Sequence, residues 1–238
     1  MHTLFFGKTY FDQKLSSGFV ALYIGKMIVL VATDLIGIFL PIFLYTIFGG
    51  TMQPLLFYYG ISSFLYAIAV PWGAGWLNRF GFRRALRWST LFGALFYLVV
   101  YFVRPENAVP LLTLSILVAT IYRLLYWVPY HVDFAKFTDR KNRAKEVSLL
   151  SATGDFLGIF IPSIAGFFIT AFGFPPLFAM AILLYILSAI PYMTLPHAHE
   201  KFGWSYRMTW QQLFSKGRRM TSLAFMANGA ESVVAAII

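Results

Sequence analysis

The sequence contains no cysteine, which removes disulfides, thiolate nucleophiles and cysteine zinc sites from consideration. Charge is also scarce: 12% of residues are Asp, Glu, Lys or Arg, where a soluble domain carries roughly a quarter. A soluble chain of this length needs a charged skin that this one cannot supply. No phosphate-binding loop, Gly-x-Ser-x-Gly elbow or paired catalytic carboxylates occur, so ATP-driven transport and hydrolytic chemistry find no support. No cofactor and no enzymatic activity are expected. His197, His199 and Glu200 have metal-like spacing, but no further ligand lies nearby and no metal site is expected.

What the sequence has is apolar length: 59% of its 238 residues are hydrophobic. A membrane-crossing helix needs about 20 apolar residues. The apolar runs predict six spans near 27–48, 54–77, 88–103, 109–132, 148–172 and 176–195, and a seventh starting near Thr221 and still running at Ile238. The expected organisation is a six-helix bundle over 1–195, a cytoplasmic linker over 196–220 with an amphipathic stretch at Thr209–Gly217, and the start of a second bundle over 221–238. The C-terminal half of the same chain is expected to follow.

The net charge of +10 arises from where the basic residues fall. Residues 1–26, 78–87, 133–147 and 196–220 hold 17 of the 19 Lys and Arg. The alternate connections hold only Arg104, and Arg123 lies within a span. The positive-inside rule then places the N-terminus and the long loops in the cytoplasm, in a multi-pass protein of the cytoplasmic membrane. This explains the positive charge without a nucleic-acid partner; lipid is the expected surround.

The spans differ in polarity. The third and sixth are almost wholly apolar and can face lipid. The first carries Asp34, Gly37, Pro41 and Tyr45 at steps of three and four, which share one face. The fourth carries Thr113, Thr120, Arg123, Trp127 and Tyr130 on one face, and the seventh carries Thr221, Asn228 and Glu231. Intramembrane charge is costly and marks substrate or ion paths by default. Asp34 and Arg123, at similar depth and of opposite sign, are expected to pair across a central cavity, either as part of the path or as an architectural lock. Asn228 and Glu231 would join them from the second bundle, with Tyr45, Thr120, Trp127 and Tyr130 available to substrate. On the fifth span Gly154, Gly158, Pro162 and Gly166 recur every four residues, a small-residue ridge against which another helix can pack. Asp155 beside that ridge reads equally as a snorkelling or a functional carboxylate.

The connection between spans two and three contains Asn78-Arg79-Phe80-Gly81-Phe82-Arg83-Arg84. This resembles the loop signature of the major facilitator superfamily, roughly G-x-L-x-D-R-x-G-x-R-R. Arg79, Gly81, Arg83 and Arg84 match it, while Asn78 stands where the family has Asp and Trp76 where it has Leu. Arg123 on the fourth span and Asp34 on the first are similar to the acid and arginine that face each other in proton-coupled sugar porters of that family. The resemblance implies an all-α fold of six-helix bundles, each made of two inverted three-helix repeats. It also implies a secondary transporter moving a small solute by alternating access, with protons as a possible coupling ion. A six-helix scaffold or channel subunit that transports nothing alone is the other reading.

Overall fold

The computed structural model describes residues 16–138, 143–196 and 206–213 and the isolated positions 215, 217, 220, 223 and 224. The described residues are helical throughout, with no strand: α1 (Ser17–Gly37), α2 (Phe39–Ile47), α3 (Met52–Phe80), α4 (Phe82–Tyr101), α5 (Ala108–Phe137), α6 (Arg143–Phe172), α7 (Pro175–Leu187), α8 (Ala189–Met193) and α9 (Tyr206–Leu213). Among the described residues five segments are long and apolar enough to cross a membrane: Ser17–Gly37, Met52–Gly73, Pro105–Phe137, Arg143–Phe172 and Pro175–Met193. The predicted third span, α4, is not among them, because Arg83, Arg84 and Arg87 lie in its first turns.

Two proline positions explain why the first and sixth predicted spans each form two helices. α1 ends at Gly37, four residues before Pro41, and α7 ends at Leu187, four residues before Pro191. Proline has no N–H for the carbonyl four residues back, and its ring crowds that carbonyl.

The sequence boundaries are corrected in two places. The first helix begins ten residues earlier than predicted. Ser16 caps it, its Oγ accepting from Phe19 N at 3.1 Å and donating to Phe137 O at 2.8 Å, which ties the start of α1 to the end of α5. Lys26, assigned from sequence to the N-terminal connection, is thus the tenth residue of a helix. The predicted connection 78–87 reduces to one residue, Gly81, at φ 77° and ψ 147°. Its N–H bonds Leu77 O at 2.8 Å and its carbonyl accepts from Ala85 N at 3.0 Å.

Ser16, Arg83, Phe137, Arg143 and Met193 all gather at one end of the bundle. There Arg83 Nη2 donates to the Met193 carbonyl closing α8, and Arg143 Nη2 donates to Ala135 O at 3.0 Å. At the other end lies Arg104, whose Nη1 donates to Tyr101 O and Val103 O at 3.1 and 2.8 Å and so caps α4.

α1 packs on α6, α7 and α8; α5 packs on α3 and α4; α4 packs on α7 and α8. Lipid tails are as apolar as the helices, so packing geometry and hydrogen bonds between helices carry association. Glycines provide the seats. A Cβ at Gly93 would overlap the Tyr185 ring, and one at Gly25 would overlap Tyr192. Hydroxyl pairs join the helices further: Tyr58 to Ser115 at 3.0 Å between α3 and α5, and Tyr23 to Thr153 at 2.7 Å between α1 and α6. The expectation for α4 as a lipid-facing helix holds for one side only. Trp88, Leu91 and Leu95 are exposed, whereas Ser89, Thr90, Gly93 and Tyr97 are buried.

Candidate functional site

Intramembrane charge on α1 and α5 includes three places, Lys26, Arg123 and Asp34. The first is Lys26. Its Nζ lies 4.6 Å from the Trp127 ring centroid and 5.6 Å from those of Tyr126 and Tyr130. Tyr126 and Tyr130 belong to one stripe of α5, with Trp127 beside it, since Tyr122, Tyr126, Tyr130 and Phe134 recur every fourth residue. They stack successively with centroids 5.5, 5.6 and 6.1 Å apart. A ring face carries negative charge density, so a cation there is held without a counter-ion. Beside Lys26 a cavity of about 400 Å³ opens between α1, α5 and α6, lined by Lys26, Met27, Leu30, Tyr130, Leu150, Ser151, Gly154 and Asp155.

The second place is Arg123, the sixteenth residue of α5. Its Nη1 reaches Ser62 Oγ at 3.4 Å, and its guanidinium lies 5.8 Å from the Tyr66 ring centroid. Both partners belong to α3.

Asp34 lies on α1 two turns beyond Lys26, about 12 Å along the axis at 1.5 Å per residue. Lys26 is the charged group that acts on it electrostatically. The expected pairing with Arg123 is not formed: among the described residues no ion pair joins them, because Arg123 turns to α3. Close to Asp34 runs a hydroxyl chain. Thr33 Oγ1 and Tyr185 OH are 3.1 Å apart, and Tyr185 OH donates to Tyr122 OH at 3.2 Å, linking α1, α7 and α5.

The remaining predicted residues are dispersed. Tyr130 is buried at Lys26 and lines the cavity, while Trp127 is half-exposed over the same ammonium. Thr120 is buried with its hydroxyl donated to Ile116 O at 2.8 Å. Tyr45 is exposed on α2, near Gly50. His131 stacks on Trp127 with centroids 5.6 Å apart.

Along the α6 ridge, Gly154 faces Leu30 and Gly166 faces Phe39, whereas Gly158 meets open space. Pro162 lies inside α6 without ending it. Arg84 is exposed and Arg87 Nε reaches Arg83 O at 3.5 Å. Asn78 and Arg79 belong to the last turn of α3, and their side chains lie outside the described set, as do Thr221, Asn228, Glu231, His197 and His199 entirely.

Of this group the sequence singled out Trp127 and Tyr130, but not Lys26, Tyr126 or the tyrosine–threonine chain. The four-residue recurrence of Tyr122, Tyr126 and Tyr130 was the available signal.

A set of long apolar helices with charged groups held between them defines a multi-pass membrane protein. The sequence model of the Major Facilitator Superfamily matches residues 22–237. The chain belongs to that superfamily and is one of its membrane transporters. Neither a curated protein nor a solved structure matches it.

Proposed function

We propose that this chain is the N-terminal portion of a secondary active transporter that moves a small solute by alternating access, with proton movement coupled through Asp34. The observation that carries the reading is the intramembrane charge. Lys26 mid-way along α1, Asp34 in its last turn and Arg123 mid-way along α5 sit within helices that pack together, and such residues mark solute and ion paths.

The packing pairs support two inverted three-helix repeats. Take α1–α2 as first, α3 second, α4 third, α5 fourth, α6 fifth and α7–α8 sixth. The first helix then packs on the fifth and sixth as the fourth packs on the second and third, and third packs on sixth. The Tyr23–Thr153 and Tyr58–Ser115 bonds occupy corresponding pairs, first with fifth and fourth with second. The basic end of the bundle is taken as cytoplasmic, following the positive-inside rule.

In this reading Asp34 takes and releases the proton. Its proton affinity changes when rocking of the bundles alters its distance from Lys26 and from water. Arg123 positions α3 against α5. Tyr130 and Trp127 contact the solute, and Asn228 and Glu231 contribute from the second bundle. In this reading the connection 196–220, which includes α9, links the bundles.

The test is uptake into proteoliposomes containing the full-length protein under an imposed pH gradient. Asp34→Asn is expected to abolish gradient-driven accumulation while retaining exchange of labelled solute. Accumulation by Asp34→Asn equal to the parent would remove Asp34 from the coupling.

A further inference from the structure

The cavity between α1, α5 and α6 carries charge of both signs on opposite walls. Lys26 comes from α1 and Asp155 from α6. The two do not pair with each other. The aromatic rings of Trp127, Tyr126 and Tyr130 hold the ammonium, and among the described residues Asp155 has no hydrogen bond or ion pair. Between them the walls are apolar: Met27, Leu30 and Leu150, with Gly154 leaving space that a side chain would fill. The space is an open groove, with Ser151 and Asp155 exposed on its rim, and its volume of about 400 Å³ can take a small molecule.

Uncompensated charge within a membrane-spanning segment is expensive and persists where it meets water, a partner or a ligand. An anion alone would satisfy Lys26 and set its charge against Asp155. A cation alone would do the reverse. A neutral solute would satisfy neither. A molecule that carries both a carboxylate or phosphate and an ammonium on an apolar body satisfies both at once. The ring faces flanking Lys26 offer further contact to that body.

We propose that this cavity binds a zwitterionic small molecule, its anionic group on Lys26 and its cationic group on Asp155. The assignment rests on the transporter reading only in taking the occupant to be a transported solute. Zwitterionic phospholipid headgroups share the chemistry and are distinguished by the test.

The test uses the full-length protein in phosphatidylglycerol nanodiscs. Ser151→Cys places a thiol in the cavity wall, in a region that has no other cysteine, and its labelling rate by a charged methanethiosulfonate is measured. Phenylalanine is the zwitterionic probe, with phenylacetate and phenethylamine as single-charge probes of the same body. Phenylalanine is expected to slow labelling at concentrations about tenfold or more below those needed for either single-charge probe, as expected when one of two charge-assisted contacts is lost. Adding Lys26→Gln or Asp155→Asn should remove that advantage, protection being the ratio of labelling rates with and without probe in each variant, because the unprotected rate itself shifts when a charge beside the thiol is removed.

Slowing by added phosphatidylethanolamine, lost in the same variants and not matched by phenylalanine, would keep the zwitterion assignment with lipid as its source. Equal protection by phenylacetate and phenylalanine would overturn it, as would protection that survives both substitutions or no protection by any zwitterion. Binding is read without transport. A failure of gradient-driven uptake with protection intact therefore counts against the coupling scheme and not against this site.

Discussion

The ammonium of Lys26 rests 4.6 Å from the ring centroid of Trp127, one helix away, with two tyrosine rings 5.6 Å off. An aromatic seat thus stands where a carboxylate would ordinarily neutralise an intramembrane lysine. The arrangement leaves the cation available to a solute, because a ring face does not consume hydrogen-bond donors as a carboxylate does.

That relationship predicts coupling between the two side chains. In a double-mutant cycle with Lys26→Met and Trp127→Leu, reversible detergent unfolding should show an interaction of about 0.5–2 kcal/mol. Trp127→Phe should keep part of it. Additivity of the two single substitutions within about 0.3 kcal/mol would mean that the rings merely border the lysine.

Glycines predict a contrast in sign. At Gly93 an added methyl would run into Tyr185, a fully packed ring joined to Thr33 and Tyr122, so Gly93→Ala should cost about 1–3 kcal/mol of stability. At Gly158 nothing lies within 4 Å. Gly158→Ala should therefore be neutral or stabilise by up to about 1 kcal/mol through helix propensity. A loss at Gly158 as large as that at Gly93 would reveal a helix seated on the α6 ridge.

The contrast also shows what the sequence could and could not convey. Apolar run length picked out the five described segments that are long and apolar enough to cross a membrane, and it also picked α4, whose first-turn arginines keep it from that set. It misplaced the start of the first helix. Residues 18–25 are apolar but precede a lysine, and counting charges by position put Lys26 in a connection. The regular glycine spacing in α6 drew notice, yet the glycines that seat another side chain most closely are Gly18, Gly25 and Gly93, which follow no shared period. Their meaning lies in Phe137, Tyr192 and Tyr185, all more than a hundred residues distant except Tyr185, which is ninety-two residues away. Opposite charge and similar depth suggested that Asp34 and Arg123 meet. Depth does not fix rotation about a helix axis, and Arg123 turns to Ser62 and Tyr66.

The hydroxyl pairs between helices should be individually modest. Tyr58→Phe removes the buried bond to Ser115 without changing ring packing, and a loss of about 0.5–2 kcal/mol is expected. Tyr23→Phe, which loses the bond to Thr153, should cost a similar amount. Paired with Ser115→Ala, the Tyr58 substitution should show less than the sum of the two single losses, since either change breaks the same bond. Full additivity would place the effect elsewhere than in that bond.

Gly81 makes the sharpest demand on residue type. It is the whole connection between α3 and α4, at φ 77° with ψ 147°. That combination lies outside the left-handed helical region that asparagine tolerates, in a region open essentially to glycine alone. No atom lies within 4 Å of an added Cβ, so the cost of a substitution is backbone strain and not collision. Gly81→Ala and Gly81→Asn should then destabilise alike, by about 1–3 kcal/mol each. If Asn were tolerated and Ala were not, the turn would be of the ordinary left-handed type. Because Arg83 reaches the end of α8 from just beyond this turn, both substitutions should also loosen that contact. Faster amide exchange in the last turn of α8 in the variants than in the parent, with the α5 interior unchanged, would be the expected readout, and unchanged exchange in α8 would separate the turn from the Arg83 cap.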